Sequence, residues 1–378
     1  MESRTGIGII GCGNISSAYF RLAPFFNNIK IVSCSDKNPK YSESKGIEFG
    51  IKSEPVSSLL NNNEVDIVLN LTVPDSHFSV SKSILKSGKH LYSEKPFTLS
   101  LDEAIELEEL ANKNNLLIGG APDTFLGGAH QQVRAILDDG ELGRITSGTC
   151  YIMSHGMEHW HPNPGFFYKS GGGPVFDLGP YYISSLINLI GPVKRVLAFS
   201  SIPQKERIVL SEERFGEKIT VETPTTIHSV MEFSNGAIIT MISSWDVWSD
   251  EQKPMELYGT EGSIKVPDSN SFFGEIEILK KEGEFKKISS WDHPFSHPNQ
   301  EQESGMIANY RSAALSDLAF SIQKQITPRC NIELLTHTVE IMVSILRSSK
   351  KGQAVSLKTT CERPEPLKPE DARLMLDK

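Results

Sequence analysis

The residues with the clearest chemical meaning are glycines near the start of the chain. Gly11-Cys12-Gly13-Asn14-Ile15-Ser16 follows a short apolar run, residues 7–10, and opens a helical pattern. In a dinucleotide-binding turn the first glycine permits the tight bend, the second lets a pyrophosphate approach the backbone, and the third position must be small. Ser16 departs slightly from the glycine or alanine expected there. Because the first N–H groups of a helix favour anions, we predict that Gly11, Gly13, Asn14 and Ile15 contact a dinucleotide.

Asp36, at the end of the next apolar run, supports this interpretation. An acidic residue about 20 positions beyond the glycines suits a ribose 2′-hydroxyl and repels a 2′-phosphate. The predicted cofactor is therefore NAD, with NADP possible because Lys37 follows immediately. The alternative is a tight strand–helix turn without a ligand and a surface aspartate, and the ordered context of strand, helix, strand and carboxylate argues against it.

The elements that hold this turn follow from hydrophobic patterning. Short apolar runs alternate with helical patterns, which predicts a parallel sheet covered on both faces. Ser100, with Glu103 three residues on, predicts a capping box at the start of one helix. The predicted strands are 7–10, 29–34, 65–71, 91–92 and 116–118, and the predicted helices are 16–23, 77–87 and 100–111.

The patterning changes near Ala121-Pro122. Beyond a helix over 129–137, longer alternating stretches predict an antiparallel or mixed sheet, with hairpin signals at Asn235-Gly236 and at 260–262. We predict that the polar insert 200–223 is a surface excursion, and that the tail after Lys358 either docks or stays loose. The remaining predicted strands are 145–153, 226–233, 237–244 and 255–258, and a late helix is predicted over 332–349.

Composition narrows the class of protein. The length of 378 residues favours two globular domains. The net charge of -9, with no clustered basic face, argues against nucleic-acid or anionic-membrane partners. No apolar run approaches the roughly 20 residues of a membrane helix, and no signal peptide is expected. The five scattered cysteines predict reduced thiols and a cytoplasmic location.

Three further segments carry a family signature. They are Leu71–His77 (Leu-Thr-Val-Pro-Asp-Ser-His), Gly88–Pro96 with its Glu-Lys-Pro ending, and the glycine-rich Gly171–Tyr181, which contains Asp-Leu-Gly-Pro-Tyr. With them the chain resembles the Gfo/Idh/MocA oxidoreductases, the family of glucose–fructose oxidoreductase and inositol dehydrogenase, over its whole length.

The resemblance implies an α/β fold in two parts. Residues 1–122 would form a Rossmann domain, a doubly wound parallel sheet, and residues 123–378 an α/β domain with a large open, mostly antiparallel sheet. That second domain would bind substrate and form the subunit interface of a homodimer or homotetramer. The resemblance also implies cofactor contacts, which we assign to Leu71, Thr72, Pro74, His77, Glu94 and Lys95, with a proline that is often cis after Lys95.

The same resemblance gives catalytic candidates. Oxidising a carbinol needs a base for the hydroxyl proton while the cofactor takes the hydride, and Tyr181 stands where family members carry His or Tyr. A free phenol has a pKa of about 10, so the Lys95 ammonium would favour phenolate and bond the substrate oxygen. Asp177, four residues before Tyr181, would orient Lys95 or contact a substrate hydroxyl. The structural alternatives are a surface Lys95, a helix-capping Asp177 and a packed Tyr181, which would leave the proton to Lys95 or a histidine.

Residues 154–162 hold three of the ten histidines, together with Glu158 and Trp160. We predict a substrate loop in which polar groups and an aromatic platform hold a sugar, formed by His155, His159, Trp160 and His161, with Asp123 reaching the same pocket. A metal site is the alternative, but the spacing matches no compact zinc motif, so none is predicted. A loop with capping histidines is the other alternative.

Three functions fit these residues. The leading hypothesis is an NAD(P)-dependent dehydrogenase or reductase of a sugar, a polyol or a sugar derivative, with a small sugar-like molecule as its partner. The second is an oxidative glycosidase, which oxidises, eliminates and re-reduces with retained NAD, with His155 or His159 as the extra base. The third is a nucleotide-binding regulator without catalysis, which the presence of Lys95 and Tyr181 disfavours.

Overall fold

The first third of the chain forms a six-stranded parallel sheet with the strand order β3-β2-β1-β4-β5-β6. In this computed structural model residues 4–302 and 305–376 are described. The strands are β1 (Thr5–Ile10), β2 (Ile29–Ser35), β3 (Lys52–Ser53), β4 (Ile67–Asn70), β5 (His90–Ser93) and β6 (Ile118–Gly120). The helices are α1 (Ser16–Leu22), α2 (Pro39–Phe49), α3 (Val56–Leu60), α4 (Pro74–Lys86) and α5 (Leu101–Lys113).

Burial explains why this sheet is parallel and central. All residues of β1 and β4 are buried, as expected for strands covered by helices on both faces. From β1 the chain adds β2 and β3 on one side of the sheet and then β4, β5 and β6 on the other, so the strand order changes direction between β1 and β4. In such folds ligands bind at that point, outside the carboxyl ends of the strands. The predicted strands and the Rossmann class are confirmed, whereas α2, β3 and α3 were not predicted.

The second sheet has nine strands in the order β16-β15-β14-β13-β7-β12-β11-β8-β19. Only the pairing of β12 with β7 is parallel, so the predicted large, mostly antiparallel sheet is confirmed. Its strands are β7 (Ile145–Met153), β8 (Val193–Ser201), β11 (Thr226–Phe233), β12 (Ile238–Ser244), β13 (Met255–Gly259), β14 (Gly262–Val266), β15 (Ile276–Lys280), β16 (Lys286–Ile288) and β19 (Val355–Ser356).

Helices cover one face of this sheet. α8 is buried along its whole length, and α10 packs against both α8 and β8. Apolar side chains of β8, β11 and β12 are exposed on the opposite face. Helices of this part of the chain are α6 (Gly128–Asp138), α7 (Gly173–Asp177), α8 (Gly179–Ile190), α9 (Ala313–Lys324), α10 (Ile332–Lys351) and α11 (Pro369–Met375).

The insert 200–223 is more than a surface excursion, and that prediction is corrected. It forms the hairpin of β9 (Glu206–Ile208) and β10 (Lys218–Thr220), in which Arg207 and Val209 are buried. Its apolar side chains pack with those of the 154–168 segment into a second small core. The buried members of that core are Met157, Tyr168, Val209, Ile219, Val221 and Trp245.

The end of the chain returns to the first sheet. After the short pair β17 (Gln300–Gln302) and β18 (Gly305–Ile307), α9 packs on β6, and α10 packs on α5 and β6. The tail docks, since Leu367 is fully buried and Leu376 bridges to Phe26. The boundary at residue 122 therefore stays a prediction, because the last third of the chain contacts both sheets. None of the described helices is both long and apolar enough to cross a membrane.

Candidate active site

The turn after β1 brings Gly11, Cys12 and Asp36 together. Gly11 has a φ of +103°, and a Cβ there would lie 2.6 Å from the Leu71 carbonyl carbon, so only glycine fits. The Cys12 N–H donates to Asp36 Oδ2 at 2.8 Å, and the Asn38 N–H donates to Asp36 Oδ1 at 2.9 Å. Ser16, the unusual third position, is fully buried and donates to the Gly13 carbonyl at 2.6 Å. A small residue is needed there because α1 packs closely on the sheet.

This turn fits the pyrophosphate of a dinucleotide. A Cβ built on Gly13 meets nothing within 4 Å, so the backbone faces open space where the motif expects a phosphate. Gly13, Asn14 and Ile15 are exposed immediately before α1, and Asp36 is held at the carboxyl end of β2. These residues would hold NAD, with Asp36 facing the ribose side.

The loop after β4 supports the same edge of the sheet. The Thr72 hydroxyl donates to Asn70 Oδ1 at 2.7 Å, and Pro74 begins α4. His77 is buried, with its ring nitrogens 2.6 Å from the Pro96 carbonyl and 2.8 Å from the Thr72 carbonyl. Burial lowers the pKa of His77, and the two carbonyls oppose that effect. His77 was predicted as a cofactor contact, but its ring is enclosed and joins this loop to the Lys95 motif. Leu71, another predicted contact, is buried as well.

Glu94 is a buried junction. Its Oε1 accepts from the Tyr19 hydroxyl at 2.8 Å and from Arg311 Nη1 at 2.9 Å, and its Oε2 accepts from the Lys95 N–H at 2.8 Å. Burial would raise the pKa of Glu94, but the charges of Arg311 and Lys95 hold it below its usual range. Glu94 is thus an ionised anchor for Lys95, and its enclosed carboxylate can influence a cofactor only through the residues that it holds. The Lys95–Pro96 bond is cis.

Lys95, Asp177 and Tyr181 meet at one point. Lys95 Nζ donates to Asp177 Oδ1 at 2.7 Å and to the Asp177 carbonyl at 2.8 Å, and it lies 5.3 Å from the Tyr181 ring centroid. Burial would lower the pKa of Lys95, but the charges of Asp177 and Tyr181 hold it above its usual value. Lys95 is therefore a fixed ammonium group beside a phenol.

Asp177 and Tyr181 lie on two consecutive helices, the five-residue α7 and the twelve-residue α8. Asp177 ends α7 and Tyr181 lies in the first turn of α8, with Leu178 between the helices. Gly172 precedes α7, so Asp177 does not cap the start of that helix, and it holds Lys95 instead. Tyr181 is buried, with 5% of its surface exposed, and its hydroxyl has no hydrogen-bond partner among the described residues. Unlike the Tyr92 hydroxyl, that oxygen is not completely enclosed.

The 154–168 loop presents a mixed surface. Trp160 is 57% exposed, and His161 packs edge-on against it and against Phe166 and Phe167. Burial lowers the pKa of His161, and its Nδ1 accepts from the Asn163 N–H at 3.0 Å. His159 is exposed.

Other predicted members of this loop lie elsewhere. His155 stacks on Trp248 at 3.4 Å between ring centroids. Glu158 is buried and accepts from Tyr168 and Arg207, so it anchors the loop from below. No cluster of three His, Cys, Asp or Glu suited to a metal ion occurs within residues 4–302 and 305–376.

Asp123 is buried beneath the site. Its Oδ2 accepts from the Ser312 N–H at 3.0 Å and the Ala314 N–H at 3.5 Å, at the start of α9. Burial raises the pKa of Asp123 to about 6, against the charge of Arg311. With 1% of its surface exposed, Asp123 cannot touch a substrate in this arrangement, which differs from its predicted role.

Sequence reasoning missed Arg311 and Tyr19. Arg311 is 217 residues from Glu94 in the chain and lies in no recognised motif. Tyr19 lies in the segment 16–23, for which only a helix was predicted. A buried aromatic residue in the first helix carries no signal that its hydroxyl reaches a carboxylate.

Comparison with known families matches two parts of the chain. Residues 5–119 match the oxidoreductase family with the NAD-binding Rossmann fold, and residues 130–265 match the GFO/IDH/MocA C-terminal domain. These ranges contain the glycine turn, the Lys95 motif and the Asp177–Tyr181 segment.

Relatives of known sequence and structure agree with this. Oxidoreductase P35 of Formosa agariphila is 26% identical over 301 residues, 75% of this chain and 84% of that protein. D-xylose dehydrogenase of Paenarthrobacter nicotinovorans is 26% identical over 222 residues, and the match spans only 56% of either chain. Levoglucosan dehydrogenase, solved in complex with NADH and L-sorbose, shares the fold, with a TM-score of 0.79 at 19% identity over 94% of this chain and 100% of that one.

Because models of this one family match residues 5–119 and 130–265, which together make up most of the chain, this chain belongs to the Gfo/Idh/MocA oxidoreductases, and its first part is their NAD-binding Rossmann fold.

Proposed function

We propose that this chain transfers a hydride between NAD and a carbinol carbon of a sugar, a polyol or a sugar derivative. The observation that carries the proposal is the Lys95 ammonium, fixed 2.7 Å from Asp177 and beside the ring of Tyr181. Hydride transfer at a hydroxyl-bearing carbon needs a positioned proton acceptor and a cation for the developing oxyanion. Tyr181 and Lys95 supply these two groups.

The chain's own residues handle the proton and the oxygen. When bound, the nicotinamide accepts or donates the hydride. Lys95 donates a hydrogen bond to the substrate oxygen, while Asp177 holds its Nζ in place. The Tyr181 hydroxyl, which has no protein partner among the described residues, exchanges the proton with that same oxygen.

The loop above this centre favours a carbohydrate. Trp160 offers an exposed aromatic face, while His161, which packs edge-on against Trp160, and the exposed His159 offer hydrogen-bond groups. Sugar-type names among the relatives, D-xylose dehydrogenase and levoglucosan dehydrogenase, support this class of substrate. The carboxylate of Asp36 supports a preference for NAD over NADP.

The direct test is absorbance at the reduced-nicotinamide band during a screen of pentoses, hexoses, polyols and glycosides with NAD and NADP. Net NADH formation with one class is the expected result. Lys95→Met should lower kcat by roughly 10²–10⁴-fold and leave NADH binding intact, because the lysine handles the reacting oxygen.

Lys89→Met is the matched control. Lys89 belongs to the same Gly88–Pro96 segment, but its Nζ donates to the carbonyls of Asn62 and Val65, away from the site. Unchanged turnover in Lys95→Met, or equal losses in both variants, would refute the assigned role.

The same screen separates the alternatives. Release of an aglycone that requires NAD but yields no net NADH would indicate the oxidative glycosidase. Tight NADH binding without turnover of any compound class would indicate the regulator.

We also infer that the chain forms a homodimer or homotetramer through the open face of the nine-stranded sheet. Leu197, Phe199, Val230 and Ile238 are exposed apolar residues on three adjacent strands of that sheet. Exposed apolar patches of this kind mark interaction sites.

A further inference from the structure

Two exposed tryptophans lie on neighbouring loops at one edge of the nine-stranded sheet. Trp160 is 57% exposed and Trp248 is 83% exposed. β7 and β12 are parallel neighbours, with Ser244 beside Met153, so the loops that follow these strands leave the sheet at the same edge. Large apolar side chains that lie together on a surface mark interaction sites.

Backbone hydrogen bonds join the two loops where they begin. The Ser154 N–H donates to the Ser244 carbonyl at 3.0 Å, and the Val247 N–H donates to the Ser154 carbonyl at 3.1 Å. The His155 ring then stacks on Trp248, with 3.4 Å between ring centroids and 22° between planes. The protein therefore covers one face of the Trp248 indole, and the high exposure of this residue leaves the opposite face open.

The buried Arg207 holds both loops at a fixed spacing. Its Nη1 donates to Glu158 Oε1 at 2.9 Å, two residues before Trp160. Its Nη2 donates to the side chain of Asp246, two residues before Trp248. Because a guanidinium is planar and presents its donors in a rigid fork, one side chain fixes the two loops relative to each other.

The Trp160 loop also packs on the helix that carries Asp177. Gly172 precedes α7, and a Cβ there would lie 2.3 Å from the Phe167 carbonyl oxygen, so the loop and the start of α7 are in close contact. His161 packs edge-on against both Phe167 and Trp160. Asp177 is the last residue of α7. Trp160 is thus connected through packed groups to the helix of the candidate centre.

Two open indole faces suit a ligand with at least two sugar rings. One face of a pyranose carries mainly C–H groups, which pack against the electron-rich face of an aromatic ring. Exposed polar residues flank both indoles: His159 lies beside Trp160, and Ser249 and Asp250 follow Trp248. Such a mixture suits a hydroxyl-rich ligand better than the apolar centre of a contact between protein chains.

We propose that this chain binds a glycoside of two or more sugar units, with the reacting unit on Trp160 and the next unit on Trp248. The order of the units follows from the contact of the Trp160 loop with α7, which ends at Asp177. This ligand class rests on the proposed function, because the same site would carry out the hydride transfer.

The test compares matched monosaccharides and disaccharides by isothermal titration calorimetry with NADH bound. The probes are glucose with cellobiose and maltose, xylose with xylobiose, and galactose with lactose. In at least one set the disaccharide is expected to bind about 10-fold more tightly, because it covers a second indole. Trp248→Ala should lower the affinity for that disaccharide to the affinity for its monosaccharide. Trp248→Phe, which keeps an aromatic face, should retain most of the gain.

Phe25→Ala is the matched control. Phe25 is 44% exposed and lies beyond the end of α1 that is remote from the glycine turn, so this variant should bind both sugars as the parent does. The proposal is overturned if no disaccharide binds more tightly than its monosaccharide, or if Trp248→Ala weakens both sugars equally. A change of oligomeric state in Trp248→Ala, measured by light scattering, would assign the indole to a contact between chains and would overturn the proposal as well.

The calorimetry does not depend on turnover. NADH formation from a monosaccharide, with no disaccharide advantage in binding, would leave the proposed function standing and refute the two-ring site. A disaccharide advantage that Trp248→Ala removes, without NADH formation from any sugar, would count against the proposed function alone.

Discussion

At the residue scale, two opposing effects, burial and neighbouring negative charge, set the pKa of Lys95, and one substitution can change their sum. Burial would lower the pKa of Lys95, and the charges of Asp177 and Tyr181 reverse that effect. Asp177→Asn removes the first of these charges but keeps the carbonyl that accepts from Nζ at 2.8 Å. The ammonium should then lose its proton at lower pH, so the high-pH limb of the kcat/KM profile should move down by about one to three units.

The profile is measured between neutral and alkaline pH with the substrate found in the screen. Asp138→Asn is the control, since Asp138 pairs with Arg134 and Arg363 far from Lys95 in the fold. A high-pH limb that stays in place in Asp177→Asn would show that the carboxylate does not set the charge of Lys95.

Local motifs predicted which residues form the candidate centre, but not the direction in which each side chain points. Lys95, Asp177 and Tyr181 lie in short, recognisable segments, and the fold brings these segments together. Glu94 and His77 lie in such segments too, yet their side chains are enclosed, because a motif fixes a position in the chain and not the direction of a side chain. Arg311 was not predictable, since an isolated arginine becomes part of the site only through the path of the backbone at Ser312.

At the element scale, a buried charge cluster ties the β9–β10 hairpin to the 154–168 loop. Arg207 Nη1 donates to Glu158 at 2.9 Å, and Nη2 donates to the Trp245 carbonyl at 3.2 Å and to Asp246. Removing one partner of a buried ion cluster leaves uncompensated charge and costs about 3–5 kcal/mol. The hairpin therefore stabilises the loop that carries Trp160.

Arg207→Leu should loosen this loop and not the Lys95 centre. We expect KM for the sugar to rise by roughly 10-fold with a smaller change in kcat, because substrate binding is lost while the reacting groups stay in place. Hydrogen exchange of residues 154–168 should become faster.

Lys218→Leu is the control for this change. Lys218 lies in the same hairpin, but its side chain is 68% exposed and pairs with Glu206 on the neighbouring strand. Slow exchange in the loop and an unchanged KM in Arg207→Leu would contradict the supporting role of the hairpin.

Elements with strong patterning were predictable, and weakly patterned ones were not. The hairpin at Asn235-Gly236 forms as predicted, since β11 pairs with β12. Ser100 caps its helix as predicted by accepting from the Glu103 N–H at 3.3 Å, but the Glu103 carboxylate accepts from the Leu99 N–H at 3.2 Å and not from that of Ser100, so only half of the capping box forms. By contrast, β9 and β10 are three residues each and lie in a polar insert, so their sequences carry no clear period. Their burial depends on partners more than 35 residues away, such as Glu158.

At the whole-molecule scale, the end of the chain packs back on its beginning. Asn331 bridges to Gly119 at the edge of the first sheet, and Asn27 donates to carbonyls of the tail at Leu374 and Leu376. These contacts span more than 200 residues of sequence, where patterning gives no information. They also explain how Arg311, in the last third of the chain, comes to lie against Glu94.

We expect the open face of the nine-stranded sheet to form the interface between subunits. Phe199 is 69% exposed opposite His228, and Leu197 lies opposite the exposed Val230, so exposed apolar side chains lie on the same face of adjacent strands. Light scattering after size-exclusion chromatography should give a dimer or tetramer. Phe199→Lys and Val230→Lys should shift it toward monomer, because each buries a charge in an apolar interface. Ile47→Lys, which alters an 87% exposed apolar residue on α2, should have no effect. A parent chain that is monomeric at micromolar concentration, or an oligomer unaffected by both sheet variants, would place the interface elsewhere or exclude it.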